Sequence, residues 1–317
     1  MDTASALNKS AIEFARGYSR QIAWPTIILG FVVFIGYWSL PYLVMLNGLS
    51  LLVAIPLMAI LSYGGYTVLH DSVHGCISGN IKSFQWLNDG LGYLAASLLF
   101  IPLTAHRYEH LSHHRNTNQG SSDPDNYSAD MLKSPSHMLQ ATWAAITVQY
   151  KFYMRERWSS APRKQNVTLI LEVTGGILLR TIPFVVLYLV GDAEAIARWW
   201  QGLVLFVVAG LLGTIILVYF FAYIVHHPHL EKDRYLNTST VLIPGPFSHL
   251  LTMLWGYQNY HSIHHLFPWV PFYQYRKVFD KISPTMEAMG APIYQITWTG
   301  LRPFLVNEVI GQNPNPK

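Results

Sequence analysis

Nine of the 14 histidines in this chain fall in three short clusters, at residues 70–74, 106–114 and 261–265. Offsets of three or four positions recur in all three clusters, and such offsets return to nearly the same face of an α-helix. Neutral imidazole is the commonest side-chain metal ligand, whereas a histidine that only packs in a core needs no such repetition. Three of these faces meeting at one place would surround a metal with nitrogen. The predicted metal ligands are His70, His74, His106, His110, His113, His114, His261, His264 and His265.

The rest of the sequence leaves the chemistry to the metal. The single cysteine, Cys76, excludes an internal disulfide and a cysteine-ligated zinc or iron–sulfur site. We find no Ser–His–Asp order, phosphate-binding glycine loop or G-x-G-x-x-G motif. Imidazole-rich sites suit iron, copper, nickel and zinc alike, so spacing does not choose the metal. Nearby acids can orient a ligating imidazole through its second nitrogen, and the candidates are Asp71, Glu109, Asp123 and Asp125.

The composition is that of a membrane protein. Of the residues, 51% are hydrophobic and only 12% are charged, and the mean hydropathy is +0.24, whereas soluble domains are about a quarter charged. A membrane-spanning helix needs about 20 apolar residues. The stretches that meet this requirement are residues 22–46, 51–69, 167–190 and 202–225. Basic and aromatic residues do not interleave as in a nucleic-acid groove, so we expect no nucleic-acid partner.

The order of the spans and the distribution of positive charge agree on sidedness. Every histidine cluster follows an even number of predicted spans, and 19 of the 21 Lys and Arg residues lie in the segments on that side. By the positive-inside rule, both termini and the clusters are cytoplasmic, and we expect the protein in a bacterial inner membrane. Residues 84–103 have an apolar part of only about 13 residues, too short to span. We predict an interfacial or re-entrant helix there, with a buried helix of the polar cap as the alternative.

These features predict one all-α integral membrane domain over residues 1–317. Its four transmembrane helices carry a cytoplasmic helical cap, residues 104–166 and 226–317, that holds the histidine clusters. Two charges lie in the third span, Glu172 and Arg180, and charges inside a bilayer are costly unless they are paired or face the bundle. Glu172 is near enough to the cytoplasmic end to reach water. For Arg180 we expect either a structural ion pair or a contact with the substrate.

The clusters resemble the three histidine boxes of the membrane fatty acid desaturase superfamily, which also contains acyl hydroxylases, carotenoid hydroxylases and ketolases. The matching segments are His70-Asp-Ser-Val-His74, His110-Leu-Ser-His113-His114 and His261-Ser-Ile-His264-His265. The segments Asp123-Pro124-Asp125, after the second box, and Pro271-Phe272-Tyr273, after the third, are also similar to the family. The resemblance extends from about residue 25 to residue 280. It is specific for the superfamily and says little about the substrate.

The resemblance implies a non-haem di-iron enzyme that binds two iron ions, uses O2 and takes electrons from a separate carrier such as a ferredoxin. Carried over by position, the iron ligands are the eight histidines of the three minimal boxes, which leaves out His106. That residue lies one helical turn before His110, and it is either a ligand or a partner that orients one. Family members commonly take one more ligand after the fourth span. The candidates there are His226, His227 and His229, of which we favour His226 or His227.

The resemblance further implies that the chain removes hydrogen from an unactivated C–H bond of a lipid chain. We expect a fatty acyl desaturase that introduces a C=C bond. A carotenoid or alkyl hydroxylase or ketolase of the same superfamily is the alternative, because the placement of the substrate carbon decides between a second hydrogen abstraction and oxygen rebound. A second alternative is a membrane protein that binds metal or haem without turnover, such as a transporter. Transport sites usually lie near the bilayer midplane, whereas these clusters lie at the ends of spans, which favours catalysis.

Overall fold

A computed structural model describes residues 3–79, 81–227 and 230–304 of the chain. Within them, four helices are long and apolar enough to cross a membrane. They are α2 (Trp24–Met45), α3 (Leu51–Val73), α7 (Arg163–Val190) and the continuous helix Trp199–His226. The prediction of an all-α membrane protein with four spans is confirmed. Because α3 is one turn longer than predicted, the first histidine box lies on the end of the span itself.

The fourth span is not a uniform α-helix. It begins as α9 (Trp199–Leu217), continues through a π-helical turn (Val218–Tyr223) and ends as α10 (Ile224–His226). π-Helical turns are rare in proteins, and those that occur are often found at functional sites. This one directs Phe221 toward His70, with 4.9 Å between the ring centroids.

The segment predicted as one interfacial or re-entrant helix, residues 84–103, forms one helix, and this helix makes a hairpin with the helix that follows it. The two helices are α4 (Gln85–Leu99) and α5 (Leu103–Asn116). α4 runs back along α3, with Gly92 close to Ser72 and Leu98 close to Gly65, two turns deeper in the bundle. Phe100, which has a φ of 57°, follows the end of α4, and α5 then returns to the histidine end of α3. The chain therefore dips into the bundle and emerges on the side from which it came.

α7 provides one charged side chain to each end of the hairpin turn. Arg180 donates hydrogen bonds from Nη1 to the Ser97 carbonyl (3.0 Å) and from Nη2 to the Leu98 carbonyl (2.9 Å), at the end of α4. Glu172 accepts hydrogen bonds from the backbone N–H (3.2 Å) and the hydroxyl of Thr104, at the start of α5. Helix ends leave backbone groups without partners, and no water is present in a bilayer core to replace them. Among the described residues neither charge has a salt-bridge partner, so helix capping takes the place of the expected ion pair.

Small residues allow α2, α3 and α9 to pack closely. A Cβ on Gly64 of α3 would come within 2.9 Å of Val33 of α2, and a Cβ on Gly213 of α9 would come within 3.3 Å of Ser62. Such residues let helix backbones approach in a membrane, where no hydrophobic effect drives helices together. α7 packs instead against α4 and α5. A cavity remains between α7 and α9.

The other helices and a small sheet complete the described part of the chain. The helices are α1 (Thr3–Arg16), α6 (Pro135–Glu156), α8 (Ala193–Ala197), α11 (Ser248–Leu254), α12 (His261–Leu266) and α13 (Tyr275–Ala288). The strands are β1 (Thr240–Leu242), β2 (Ile293–Thr297) and β3 (Gly300–Pro303). They form a sheet in which β1 and β2 are parallel and β2 and β3 are antiparallel. The sequence predicts a wholly helical cap and does not predict this sheet. Strands of three to five residues are too short for hydrophobic periodicity to identify.

The capping role of Arg180 leads to a stability prediction. We expect Arg180→Met to lower the melting temperature of the detergent-solubilised protein, because each buried carbonyl left without a donor costs about 1–3 kcal/mol. Arg180→Lys should have a smaller effect, since an ammonium can still reach one carbonyl. The control is Arg155→Gln, which removes an exposed cation that pairs with Glu156. Thermal unfolding followed by circular dichroism gives the comparison, and equal melting of Arg180→Met and the wild type would contradict the capping role.

Candidate metal centre

The three histidine boxes meet at one end of the bundle, although they are far apart in sequence. Box one lies at the end of α3, box two on α5 and box three on α12. The end of α10 adds His226. These four helix segments place the imidazoles in two neighbouring groups, and His114 and His265, one from each group, stack with 4.4 Å between their ring centroids.

The first group contains five histidines, each with one ring nitrogen that lies within 4.8 Å of those of the other four. Its members are His70, His74, His110, His114 and His264. The Nε2 atom of His114 is 3.2 Å from Nε2 of His110 and 2.8 Å from Nε2 of His264. Box two and box three therefore converge on box one.

The second group contains His113, His226 and His265, again with nitrogens within 4.8 Å of one another. His261 adjoins it, because its Nε2 atom is 3.0 Å from Nε2 of His226. The phenyl ring of Phe221 contacts both groups, with its centroid 4.9 Å from that of His70 and 5.8 Å from that of His261.

This donor set fits metal ions. Nitrogens at right angles around a metal, with bonds of about 2.1 Å, are about 3.0 Å apart. The Nε2 atoms of His114 and His110, of His114 and His264, and of His226 and His261 are 3.2, 2.8 and 3.0 Å apart. Both ring nitrogens of His70, Nε2 of His74, Nδ1 of His110 and Nε2 of His265 are buried without a hydrogen-bond partner among the described residues. Buried polar atoms almost always have a partner. A cation is the partner that several converging imidazoles can share.

Burial keeps most of these imidazoles in the neutral form that binds metal. Together with the positive charges of neighbouring side chains, which contribute less, burial lowers the pKa of His74 to about 3. Burial also holds the pKa values of His114 and His264 well below the usual range. For His113, burial lowers the pKa, but the charge of Asp125 and the hydrogen bond that the imidazole donates to Asp123 outweigh this effect, so the pKa is raised.

Three side chains hold the second ring nitrogen of a box histidine. Asp123 lies 2.7 Å from Nδ1 of His113. Gln258 Oε1 lies 2.9 Å from Nδ1 of His261, and the Tyr275 hydroxyl lies 3.0 Å from Nδ1 of His264. Each contact leaves Nε2 directed to the group, as in known metal sites. Gln258 precedes His261 by three positions and was identifiable from spacing, whereas the sequence carries no signal for Tyr275.

The other acids considered from the sequence have different partners. Asp125 lies 3.8 Å from His113 and donates its backbone N–H to Asp123. Glu109 lies 3.0 Å from Nδ1 of His106. Asp71 accepts hydrogen bonds from the Thr26 hydroxyl (2.9 Å) and the Phe272 backbone N–H (3.3 Å). It therefore joins α2 and α3 to the segment after box three.

Two of the candidate histidines lie outside both groups. His106 bonds to Glu109, and its ring centroid is 5.4 Å from that of His110. His227 is exposed and stacks on Tyr223, with 4.8 Å between ring centroids. Of the three candidates after the fourth span, His226 is therefore in a group and His227 is not, while His229 lies outside the described residues.

Comparison with known proteins decides the family. The family model named "Fatty acid desaturase" matches residues 46–297, which include all three boxes and His226. The chain belongs to the fatty acid desaturase family. The predicted superfamily and the prediction of an oxidoreductase that acts on lipid chains are thereby confirmed.

Individual relatives of this desaturase are distant. A Delta(12) fatty acid dehydrogenase of Crepis alpina is 23% identical over 71% of this chain and 67% of its own length. A Delta(12)-acyl-lipid-desaturase of Punica granatum is 23% identical over 77% of this chain and 69% of its own. The endoplasmic reticulum isozyme 1 of omega-6 fatty acid desaturase from Glycine max is 22% identical over 93% of this chain and 83% of its own.

Metal content should separate the grouped histidines of this desaturase from the others. We expect alanine at His74, His110, His114, His226, His261 or His265 to lower the metal content of the purified protein, because each removes a nitrogen from a group. The protein should remain in the membrane, since the spans still satisfy their own backbone hydrogen bonds.

The controls are His137, His227 and His249, which lie outside both groups. Alanine at these positions should leave the metal content, measured by elemental analysis, near that of the wild type. Equal losses in the two sets, or full retention in both, would contradict the assignment.

Proposed function

We propose that this chain is an oxygen-dependent, non-haem di-iron desaturase that introduces a C=C bond into a fatty acyl chain. The observation that carries the proposal is the pair of adjacent groups of buried imidazoles, several with nitrogens that have no partner among the described residues. Iron bound there would supply the oxidising chemistry, in which O2, two electrons and two protons take two hydrogens from adjacent carbons and leave water. Because helix segments from residue 51 to residue 266 contribute histidines, we also propose that the chain acts as one domain.

The proposed ligands follow the two groups. One iron would be held by the first group, and the other by His113, His226, His261 and His265. His106 is then a side chain beside the site that is held by Glu109 rather than a ligand. Asp123, Gln258 and Tyr275 orient the imidazoles, and burial keeps water from the ring nitrogens.

An apolar cavity next to the histidines suits an acyl chain. It has a volume of about 630 Å³ and follows α9 from Leu217 to Leu203, a distance of about 21 Å at 1.5 Å per residue. Its inner end shares Ile101, Ala145 and Leu217 with a cavity of about 40 Å³ that is lined by histidines of both groups. A chain in this cavity would present a carbon near its inner end to the metal site.

The acyl cavity is open on the side of the bilayer. Ile177 of α7 and Leu203, Val207 and Leu211 of α9 line it and are themselves exposed. Arg180 also lines it, but its guanidinium is committed to the carbonyls at the end of α4. We therefore assign the substrate site to the apolar walls rather than to this charge.

The names of the relatives favour desaturation over hydroxylation. They describe a dehydrogenase, desaturases and conjugases of fatty acids. The relatives are plant proteins, and a bacterial inner membrane stays a prediction for this chain. We propose that the histidine end faces the cytoplasm, because 19 of the 21 Lys and Arg residues lie on that side of the spans.

We propose that the two electrons come from a separate ferredoxin-like carrier. The single cysteine, Cys76, is buried and donates its S–H to the Pro268 carbonyl at 3.0 Å, so this chain cannot form a cysteine-ligated cluster. A ferredoxin-like donor would approach the positively charged side by electrostatic attraction.

Lipid analysis of an expressing host tests the reaction. We expect new unsaturated fatty acids in hosts that express the wild-type chain or His249→Ala. His110→Ala and His265→Ala should produce none, because each lacks a proposed ligand. Gas chromatography of fatty acid methyl esters provides the measurement. If only hydroxylated or ketolated carotenoids appear, the desaturase assignment is wrong.

Filling the acyl cavity tests the substrate site. A Cβ added to Gly210, on the cavity wall, meets nothing within 4 Å. We expect Gly210→Phe to lower turnover of long acyl chains about tenfold with unchanged metal content. The added ring would occupy volume that the acyl chain needs, and such crowding costs of order 1–3 kcal/mol. Val208→Phe is the matched control, because Val208 is exposed on the same helix but does not line the cavity. Equal losses in the two variants would show that the effect is not due to the cavity.

A further inference from the structure

A second large cavity lies on another face of α5, away from the histidines. Its volume is about 630 Å³, and its lining shares no residue with the cavity beside the metal groups. The charged residues that line it are all cations, Arg107, Arg115, Arg157 and Lys164. Lys164 lies in the first turn of α7, so the cavity is at the level where that span passes from charged to apolar residues.

The cations of this basic cavity are only partly neutralised. Arg107 pairs with Asp89 at 2.7 Å. Arg157 donates to the side-chain oxygen of Gln165 at 3.3 Å, and its guanidinium lies 5.7 Å from the ring centroid of Tyr108. The Nε–H of Arg157 is buried and has no acceptor among the described residues. A buried donor on a cation is costly without an acceptor, so the cavity is suited to an anion.

The basic cavity continues into a mainly apolar groove, whose one charged lining residue among those described is Glu172. The two share Tyr93 and Thr168, and the groove of about 290 Å³ lies between α4, α6 and α7. Along α7 it extends from Thr168 to Leu179, which is about 16 Å at 1.5 Å per residue. That distance is half of a hydrocarbon core of about 30 Å. The groove is therefore as deep as one leaflet.

We propose that the basic cavity and the groove together bind one molecule of an anionic phospholipid. Its phosphate would lie against Arg157 and Lys164, and one acyl chain would lie in the groove. Basic pockets between spans at the membrane surface bind anionic head groups in this way. No carboxylate is present among the described lining residues of the basic cavity, and the nearby Asp89 and Glu172 are engaged by Arg107 and Thr104, so a choline cation would find no unengaged acid there. A soluble acidic protein could contact the cations but could not fill the groove.

This lipid is distinct from the substrate. Phe100 stands between the groove and the acyl cavity, since it lines both, and the guanidinium of Arg180 is 5.0 Å from its ring centroid. The lipid would contact α4, α5, α6 and α7 at once. It would thereby fasten the helical hairpin that carries box two to the third span.

Binding of labelled phosphatidylglycerol to the purified full-length chain in detergent tests the proposal without any turnover, so its outcome is independent of the proposed function. We expect the double variant R157Q/K164Q to weaken binding roughly thirtyfold. This is the change in affinity expected when two cations are lost that each contribute about fivefold to the attraction of an anionic lipid. The matched control is K151Q/R155Q, which removes two exposed cations from α6 that do not line the cavity. It should bind as the wild type does.

A second variant tests the groove. A Cβ at Gly175 meets nothing within 4 Å, so Gly175→Phe should close the groove and weaken lipid binding while the cations stay in place. Metal content and, in the absence of added lipid, melting temperature should match the wild type in all variants.

Three results would overturn the proposal. Equal affinity for phosphatidylcholine would remove the requirement for an anion. Inorganic phosphate that displaces the lipid from the wild type and binds Gly175→Phe equally well would indicate a free phosphate site. Loss of binding to a plant-type ferredoxin in R157Q/K164Q, with lipid binding retained, would indicate a protein docking surface.

Discussion

Buried imidazoles that converge from separate helices cannot all satisfy one another, and the histidine end of this protein depends on that constraint. A neutral imidazole offers one donor and one acceptor, yet both ring nitrogens of His70 are buried without a partner among the described residues. Asp123 and Gln258 Oε1 accept hydrogen bonds from His113 and His261, and the Tyr275 hydroxyl bonds to His264, so one nitrogen of each ring is fixed and the other faces the group. Metal binding at the proposed site and packing of the helix ends would then be one equilibrium, since a bound cation would complete what the protein atoms leave open.

The low polarity of the membrane sets the second constraint. Box two can meet box one only because the chain between them dips into the bundle and returns, and this exposes two helix ends where water is absent. α7 resolves the conflict with a cation at the end of α4 and an anion at the start of α5, which also matches the helix dipoles. Arg180 and Glu172 lie on α7, which carries no histidine, and they nevertheless determine where box two lies.

Much of this architecture could be predicted from local pattern. Hydropathy located the four spans, and the spacing of the histidines located the boxes, because both signals repeat along a helix. The role of Arg180 could not be predicted, because its partners are the backbone carbonyls of Ser97 and Leu98. Every residue has a backbone carbonyl, so the sequence does not show which ones accept a hydrogen bond. The π-helical turn and Tyr275 were missed for a similar reason, since each acts through contacts with distant residues. The choice between His226 and His227 depends on the residue at which the helix ends. The His226 side chain faces the other histidines, whereas His227 stacks outward on Tyr223.

The gap between α7 and α9 determines by which route, and at what effective concentration, the substrate would reach the proposed enzyme. Exposed residues of both helices form the walls of the acyl cavity, so an acyl chain reaches it by lateral diffusion within the bilayer rather than from water. The quantity that governs saturation is then the mole fraction of the acyl lipid in the membrane, and dilution of the cells or of the assay buffer leaves it unchanged. The product returns to the same two-dimensional phase and competes there for the same cavity. Turnover would slow as the membrane becomes unsaturated, without a separate regulatory site.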